Sequence, residues 1–334
     1  MKDQTPPIDP IADPDAAIRA ASPALWAALS PLGRRVRQGA NFLPLQTAEA
    51  RGKAFNATIG QITDGHGRAV PLPPMAAALS GLDDGERSRA FLYSPVEGLA
   101  DLRNLWRSRQ RHGQPDGLPS SLPVVTVGPA QALALAAELF VVEGRAVALR
   151  EPVRDEEREL LETRLGARLL AAPMARSGRF DPTALTRRLD GLPDGDPAVV
   201  LLRFPPRSGG FIPHSRERTS LRQALAQAAD RRPLVVLVDD TWEVMETERS
   251  PSLFWRLLAS HPNLIPVKID GADGAAGFPG GRIGFLTFPF PPESGIARAL
   301  ESKVKMLLRA AAGSPSAASQ VLVLRGLTPR TSGI

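Results

Sequence analysis

The sequence predicts a three-layer α/β protein, a mostly parallel sheet held between two layers of helices. Three observations carry that prediction. Between residues 120 and 290 short apolar runs alternate with amphipathic segments, the rhythm of strand and covering helix. Several runs, among them Leu122–Val127, Ala198–Phe204 and Leu234–Val238, are apolar almost throughout, as strands buried on both faces must be. The loops that follow, Gly128–Gln131, Arg203–Gly210, Asp239–Trp242 and Gly271–Arg282, concentrate glycine and charge where open α/β sheets bind ligands.

In chain order, a Pro/Asp-rich arm precedes a helix-like segment, Pro23–Arg37. Phe55–Ile62 reads as a strand turning at Gly60, and Met75–Leu82 as a short amphipathic helix. Glu97–Arg111 has helical periodicity through Leu99, Leu102, Leu105 and Trp106. The alternating region then gives strand Leu122–Val127, helix Pro129–Val142, strand Ala146–Leu149, helix Arg154–Leu165 and strand Leu169–Ala172. Helix Pro182–Gly191 follows, begun by Asp181 as N-cap. Strand Ala198–Phe204, helix Ser215–Arg231, strand Leu234–Val238 and helix Ser252–Ala259 lead to Leu264–Phe288. There two alternating strands, Leu264–Ile269 and Ile283–Phe288, flank a Gly/Ala loop whose polar side chains are Asp270, Asp273 and Arg282. Glu293–Ala312 is a long amphipathic helix, and Ser316–Leu327 starts another.

Composition narrows the function. A chain of 334 residues with 43% hydrophobic content suits one large α/β domain, or a domain with a smaller appendage. Met1–Asp15 is acidic and Pro-rich, unlike a signal peptide, and no apolar run spans a bilayer. Cysteine is absent, which excludes disulfides and thiolate chemistry and fits a cytoplasmic protein. The net charge of +6 is spread along the chain among acids, and aromatic residues are sparse, so neither nucleic acid nor membrane is expected as partner. The four histidines are dispersed, and no ligand-spaced His/Asp/Glu set suggests a metal. No Gly-x-Ser-x-Gly elbow marks a nucleophile. The glycines of Gly277–Gly284 lie too late in the chain, and without the following acid, for a dinucleotide loop.

Two features stand out as chemistry. Asp239–Asp240 closes a core strand, where a buried carboxylate needs a cation or hydrogen-bond donor. Arg282, on a Gly-Gly shoulder before a buried strand, is placed to fork onto a phosphate, although a merely solvated arginine in a hairpin-like connection fits as well.

Six motifs occur together in an order that resembles one family. They are FNATIG, YSPVEGLADLRNLW, VVTVGPAQALALAAELF, LLRFPPRSGGFIP, VVLVDDTWEVM and VKIDGADGAAGFPGGRIGFLTF. Over about residues 50–327 the chain resembles the class I/II pyridoxal-phosphate-dependent aminotransferases of fold type I. The resemblance implies an N-terminal arm and part of a small domain over 1–50, a large domain over 51–312 and the start of a shortened C-terminal segment over 313–334. It also implies a homodimer, pyridoxal phosphate as cofactor and an amino-acid-like or other small anionic substrate. By the same resemblance Asp239 pairs with the pyridine nitrogen, Arg282 holds the phosphate, and Tyr93 reaches a phosphate across the dimer. Gly128 and Gln131 belong to the phosphate cup, whose hydroxyls are missing. Arg207 stands where the family has an asparagine, Trp242 where it has a tyrosine, and Asp155 near its ring-stacking aromatic. The Schiff-base lysine aligns with Gly274, and Lys268 is the nearest substitute. The resemblance therefore implies lost or altered transamination in a cleft that keeps its anion site. The alternative is an enzyme of amino-acid or secondary metabolism that uses Lys268, non-covalent cofactor or different chemistry.

Overall fold

A computed structural model describes residues 14–36, 49–50, 53, 63–64, 68–176, 179–204, 213–243 and 252–328. Seven strands form one sheet: β1 (Val124–Val127), β2 (Ala146–Arg150), β3 (Arg168–Ala172), β6 (Ala198–Arg203), β7 (Leu234–Asp239), β8 (Leu264–Gly271) and β9 (Ile283–Thr287). Their order is β1-β9-β8-β7-β6-β2-β3. β4 (Ala175–Arg176) and β5 (Arg179–Phe180) make a separate two-stranded ribbon. Pairings from β3 through β2, β6 and β7 to β8 are parallel, and β9 runs antiparallel between β8 and β1. The mostly parallel sheet expected for residues 120–290 is therefore present, with one strand reversed.

The strand pleat sorts the core into layers, because successive side chains point to opposite faces. Val235 and Leu237 of β7 join Val267 and Ile269 of β8 on one face, under the helices Gly128–Phe140 and Gly295–Ala312. Leu234, Val236 and Val238 face the other way, toward Leu221 and Leu225 of helix Ser215–Asp230 and Phe254 and Leu257 of helix Leu253–Leu257. A third cluster at the β1/β9 side gathers Leu102 and Trp106 of helix Ala100–Arg111, Phe285 of β9, and Val321 and Val323 of helix Ala317–Leu327. That last helix packs against helices Pro73–Ser80 and Asp84–Ala90. Its buried Gln320 accepts the Leu99 N–H at 2.7 Å, satisfying a donor at the start of helix Ala100–Arg111.

Several elements differ from the sequence reading. Pro23–Arg37 is two helices, Pro23–Ala28 and Pro31–Arg35, because Pro31 forces an extended residue before it and restarts the helix as its first residue. Arg154–Leu165 is helical but continues from Asp155–Arg158 into a π-helical stretch, Glu159–Arg164. Asp181 is not the N-cap of Ala184–Leu189; its carboxylate accepts the Thr183 N–H at 3.0 Å and holds the turn before the helix. The Gly/Ala loop after β8 contains a short helix, Ala272–Ala276, ended by Gly277 in the left-handed region. Phe55–Ile62 and the segment Pro205–Pro206 through Ile212 lie outside the described residues.

Candidate active site

The carboxyl ends of β6, β7 and β8 converge, and the pleat assigns their polar residues to two compartments. On one face, Asp239 ends β7 directly beside Arg203, which ends β6 in register with it. The Arg203 Nε donates to Asp239 Oδ2 at 2.6 Å and its Nη1 to Glu157 Oε1 at 2.9 Å. Asp239 Oδ1 accepts from the Thr241 hydroxyl at 2.6 Å and from the Thr241 N–H at 3.1 Å. Asp239 is only 3% exposed. Burial pushes its carboxyl up, but Arg203 and the two Thr241 donors outweigh this and hold it below the usual range. Burial alone would lower the Arg203 guanidinium, yet Asp239 and Glu157 carry it above its ordinary value.

On the other face, Asp240 points away from Asp239. The Lys268 ammonium, 1% exposed, donates to Asp240 and lies 3.1 Å from Asp270 Oδ1 and 3.2 Å from Glu243 Oε2. The Ser252 hydroxyl also donates to Asp240. Asp240, Glu243 and Asp270 form a carboxylate group with metal-ligand proximity, and the lysine's own ammonium bonds to all three. Burial raises the Asp240 carboxyl to about 8, with Glu243 and Asp270 adding to the rise against the pull of Lys268. Burial would lower Lys268, but the three carboxylates raise it well above its ordinary value. This cluster floors a second cavity of about 320 Å³, lined also by Trp106 and Gln110.

The first cavity, about 350 Å³, is lined by Arg282, Asp273, Asp239, Arg203 and Trp242, with Pro129 and Ala130 of the helix Gly128–Phe140. Arg282 adopts left-handed backbone, φ 52°, which turns its side chain back over the start of that helix. A Cβ on Gly128 would lie 2.3 Å from the Arg282 Nη2, so only glycine permits this approach. Arg282 Nη1 stands 3.6 Å from Asp273 and its side chain is 48% exposed, leaving the guanidinium open to the cavity. Together with the positive end of the helix dipole it makes an anion-attracting corner.

The residues singled out in the sequence are thus distributed unevenly. Asp239, Arg282 and Trp242 share the first cavity, as expected for Asp239 and Arg282. Gly128 lies under Arg282, whereas the Gln131 side chain turns back to accept the Val127 N–H at 2.7 Å. Gly274 sits in helix Ala272–Ala276, directly after Asp273. Lys268 faces the second cavity, on the opposite side of the sheet from Asp239. Tyr93 is 98% exposed on the surface of the single chain. Glu156 and Glu159, rather than Asp155, line the cavity beside Arg154. Arg207 lies outside the described residues. Sequence reading missed Arg203, Glu157 and the lysine–carboxylate cluster. The signal was present: Arg203 and Asp239 both end parallel strands, and Lys268 and Asp270 share one face of β8 by the period of two.

This residue set fits the phosphate end of pyridoxal phosphate and not the rest of the cofactor. Arg282 and the helix start can hold a phosphate. Both oxygens of Asp239, however, already accept hydrogen bonds from within the chain. No amine stands at Gly274, and Lys268 is held on the far face.

No protein-family model matches the sequence, and no curated protein matches it. Solved structures share its fold. An aminotransferase from Anaerococcus prevotii superposes with a TM-score of 0.72 at 18% identity, over 84% of this chain and 70% of its own. The N-succinyldiaminopimelate aminotransferase of Mycobacterium tuberculosis gives 0.65 at 20% identity, over 90% of this chain and 72% of its own. An aromatic-amino-acid aminotransferase from Burkholderia pseudomallei, covalently bound to pyridoxal phosphate, gives 0.64 at 17% identity, over 81% and 67%. The fold is that of fold type I aminotransferases. Among the described residues, no helix is long and apolar enough to cross a membrane.

Proposed function

We propose that this chain is an aminotransferase-fold protein whose cleft binds a small phosphate-bearing anion without forming a covalent pyridoxal adduct. It acts as a pseudoenzyme or partner subunit rather than as a transaminase. One observation carries the reading: the aligned lysine position is Gly274, while Lys268 is locked among Asp240, Asp270 and Glu243 on the far face of the sheet. An ammonium in that setting is neither free to condense with an aldehyde nor able to act as a base. Loss of a group with both duties removes several orders of magnitude of rate. What the cleft keeps is the Arg282 corner, and an arginine against a helix start suits a phosphate.

Two measurements test this together. After incubation with pyridoxal phosphate and borohydride, peptide mass mapping is expected to find no adduct at Lys268; specific labelling there would restore the enzyme reading. Calorimetric titration with inorganic phosphate is expected to show saturable binding, weakened about tenfold or more in Arg282→Asn, which tolerates the left-handed backbone. Equal binding by wild type and variant would remove Arg282 from the site.

A further inference from the structure

Resting on that phosphate reading, we infer that Arg203 occupies the place at Asp239 that a ligand's ring nitrogen would need. The cleft is therefore built for phosphate monoesters whose distal end carries no basic ring. Arg203 makes the cleft's selection by being a permanent cation already seated on the carboxylate.

The geometry is specific. Asp239 spends one oxygen on the Arg203 Nε at 2.6 Å and the other on both donors of Thr241. A pyridine nitrogen pairs with such a carboxylate only by donating a proton to it; Oδ1 already accepts two bonds and Oδ2 one, so the ring would have to share Oδ2 with the Arg203 guanidinium, cation beside cation. The guanidinium cannot yield easily, because its Nη1 is also held by Glu157 at 2.9 Å, and Glu157 is buried. Stripping Arg203 from both partners would leave charges buried and unpaired, the costly outcome for such groups.

Charge balance points the same way. Around the site, Arg203 and Arg150 stand against Asp239 and Glu157, and Arg150 feels both Glu157 and Arg203. Within this buried group two cations face two anions, so a protonated ring at Asp239 would be a third cation; of the other carboxylates lining the cavity, Glu156 pairs with Arg154 and Asp273 stands beside Arg282. A neutral distal group avoids that penalty. The remaining wall offers Thr241 and the half-buried Trp242, a polar edge and an aromatic face. A phosphate on Arg282 with a neutral, flat or hydroxylated distal end matches this lining.

The test compares pyridoxine 5′-phosphate with benzyl phosphate by calorimetry; neither carries an aldehyde, so lysine labelling cannot intrude. Wild type is expected to bind benzyl phosphate about threefold or more tighter than pyridoxine 5′-phosphate. Arg203→Gln removes one cation and frees Asp239, and it is expected to gain about tenfold or more for pyridoxine 5′-phosphate and nothing for benzyl phosphate. A wild type that binds pyridoxine 5′-phosphate as tightly as benzyl phosphate, or more tightly, overturns the inference, as does a folded Arg203→Gln that shows no gain. If the variant fails to fold, the wild-type ratio decides. Wild type binding neither ester while Arg203→Gln binds pyridoxine 5′-phosphate overturns the phosphate reading and keeps the role of Arg203. No binding by either protein overturns both.

Discussion

Lys268 shows how a single side chain redirects the reading of a site. It bonds to three carboxylates in a buried compartment, so removing its charge leaves those acids without their counter-ion. Lys268→Met is expected to lose about 3–5 kcal/mol of stability at pH 8. The sign of the pH dependence follows from the shifts. Lys268 is raised in the fold, so its contribution is full below its unfolded value and fades only as pH passes the raised one. Asp240 is raised to about 8, so folding favours its protonated form and the ionised form costs stability as pH climbs from about 4 toward 8. Without the ammonium that cost grows, so urea unfolding should show a larger deficit for the variant at pH 8 than at pH 5. A deficit independent of pH would mean that the cluster does not share its protons as described. The complementary change is Gly274→Lys. This glycine sits in an ordinary helical turn rather than at positive φ, so the backbone accepts a side chain. The variant is expected to form a borohydride-trapped pyridoxal phosphate adduct at residue 274, read by peptide mass, with no return of transamination while Arg203 holds Asp239. At this scale the sequence revealed the missing lysine and the paired aspartates. It hid the partners, because Arg203 and Glu157 lie 36 and 46 residues apart along the chain from what they hold or are held by.

Close backbone contact, more than any side chain, builds the anion corner at the level of elements. A Cβ on Gly284 of β9 would lie 2.3 Å from the Gly128 carbonyl carbon and 2.6 Å from the Pro129 nitrogen. The strand therefore runs directly against the start of helix Gly128–Phe140, and this contact sets Arg282, two residues earlier, over the helix end. Gly284→Ala is expected to cost about 1–3 kcal/mol by overpacking and to lower phosphate affinity by moving Arg282 off the helix. Thermal unfolding and calorimetry on one sample read both effects, and full stability with full affinity would refute the contact. The strands and most helices were legible because burial on both faces writes continuous apolar runs. The π-helical turn at Glu159–Arg164 and the helix at Ala272–Ala276 were not, since neither changes the apolar pattern and glycine and alanine alone read as loop.

On the scale of the whole molecule, Phe91, Leu92 and Tyr93 form an exposed apolar run on the single chain. Three neighbouring apolar side chains in water favour a partner surface. A homodimer is the expected assembly; light scattering at micromolar concentration should give twice the chain mass, and Tyr93→Ser with Phe91→Ser should shift it toward the monomer. A wild-type monomer would set aside any role for Tyr93 in a shared site. The architecture itself could be read from the order of motifs, because a parallel sheet fixes which loops meet at its carboxyl edge. The separation of the two cavities could not, as it depends on side-chain direction within strands of known position. The buried lysine has a further use that has nothing to do with ligands. Of the five lysines in the sequence, Lys53 and Lys303 are exposed and Lys305 is half-buried, while Lys268 is 1% exposed. An amine-reactive reagent can modify Lys268 only when the carboxylates that hold it at the floor of the second cavity release it, so the rate at which that one peptide gains mass is a clock for the opening of that compartment, written into the protein without any added label.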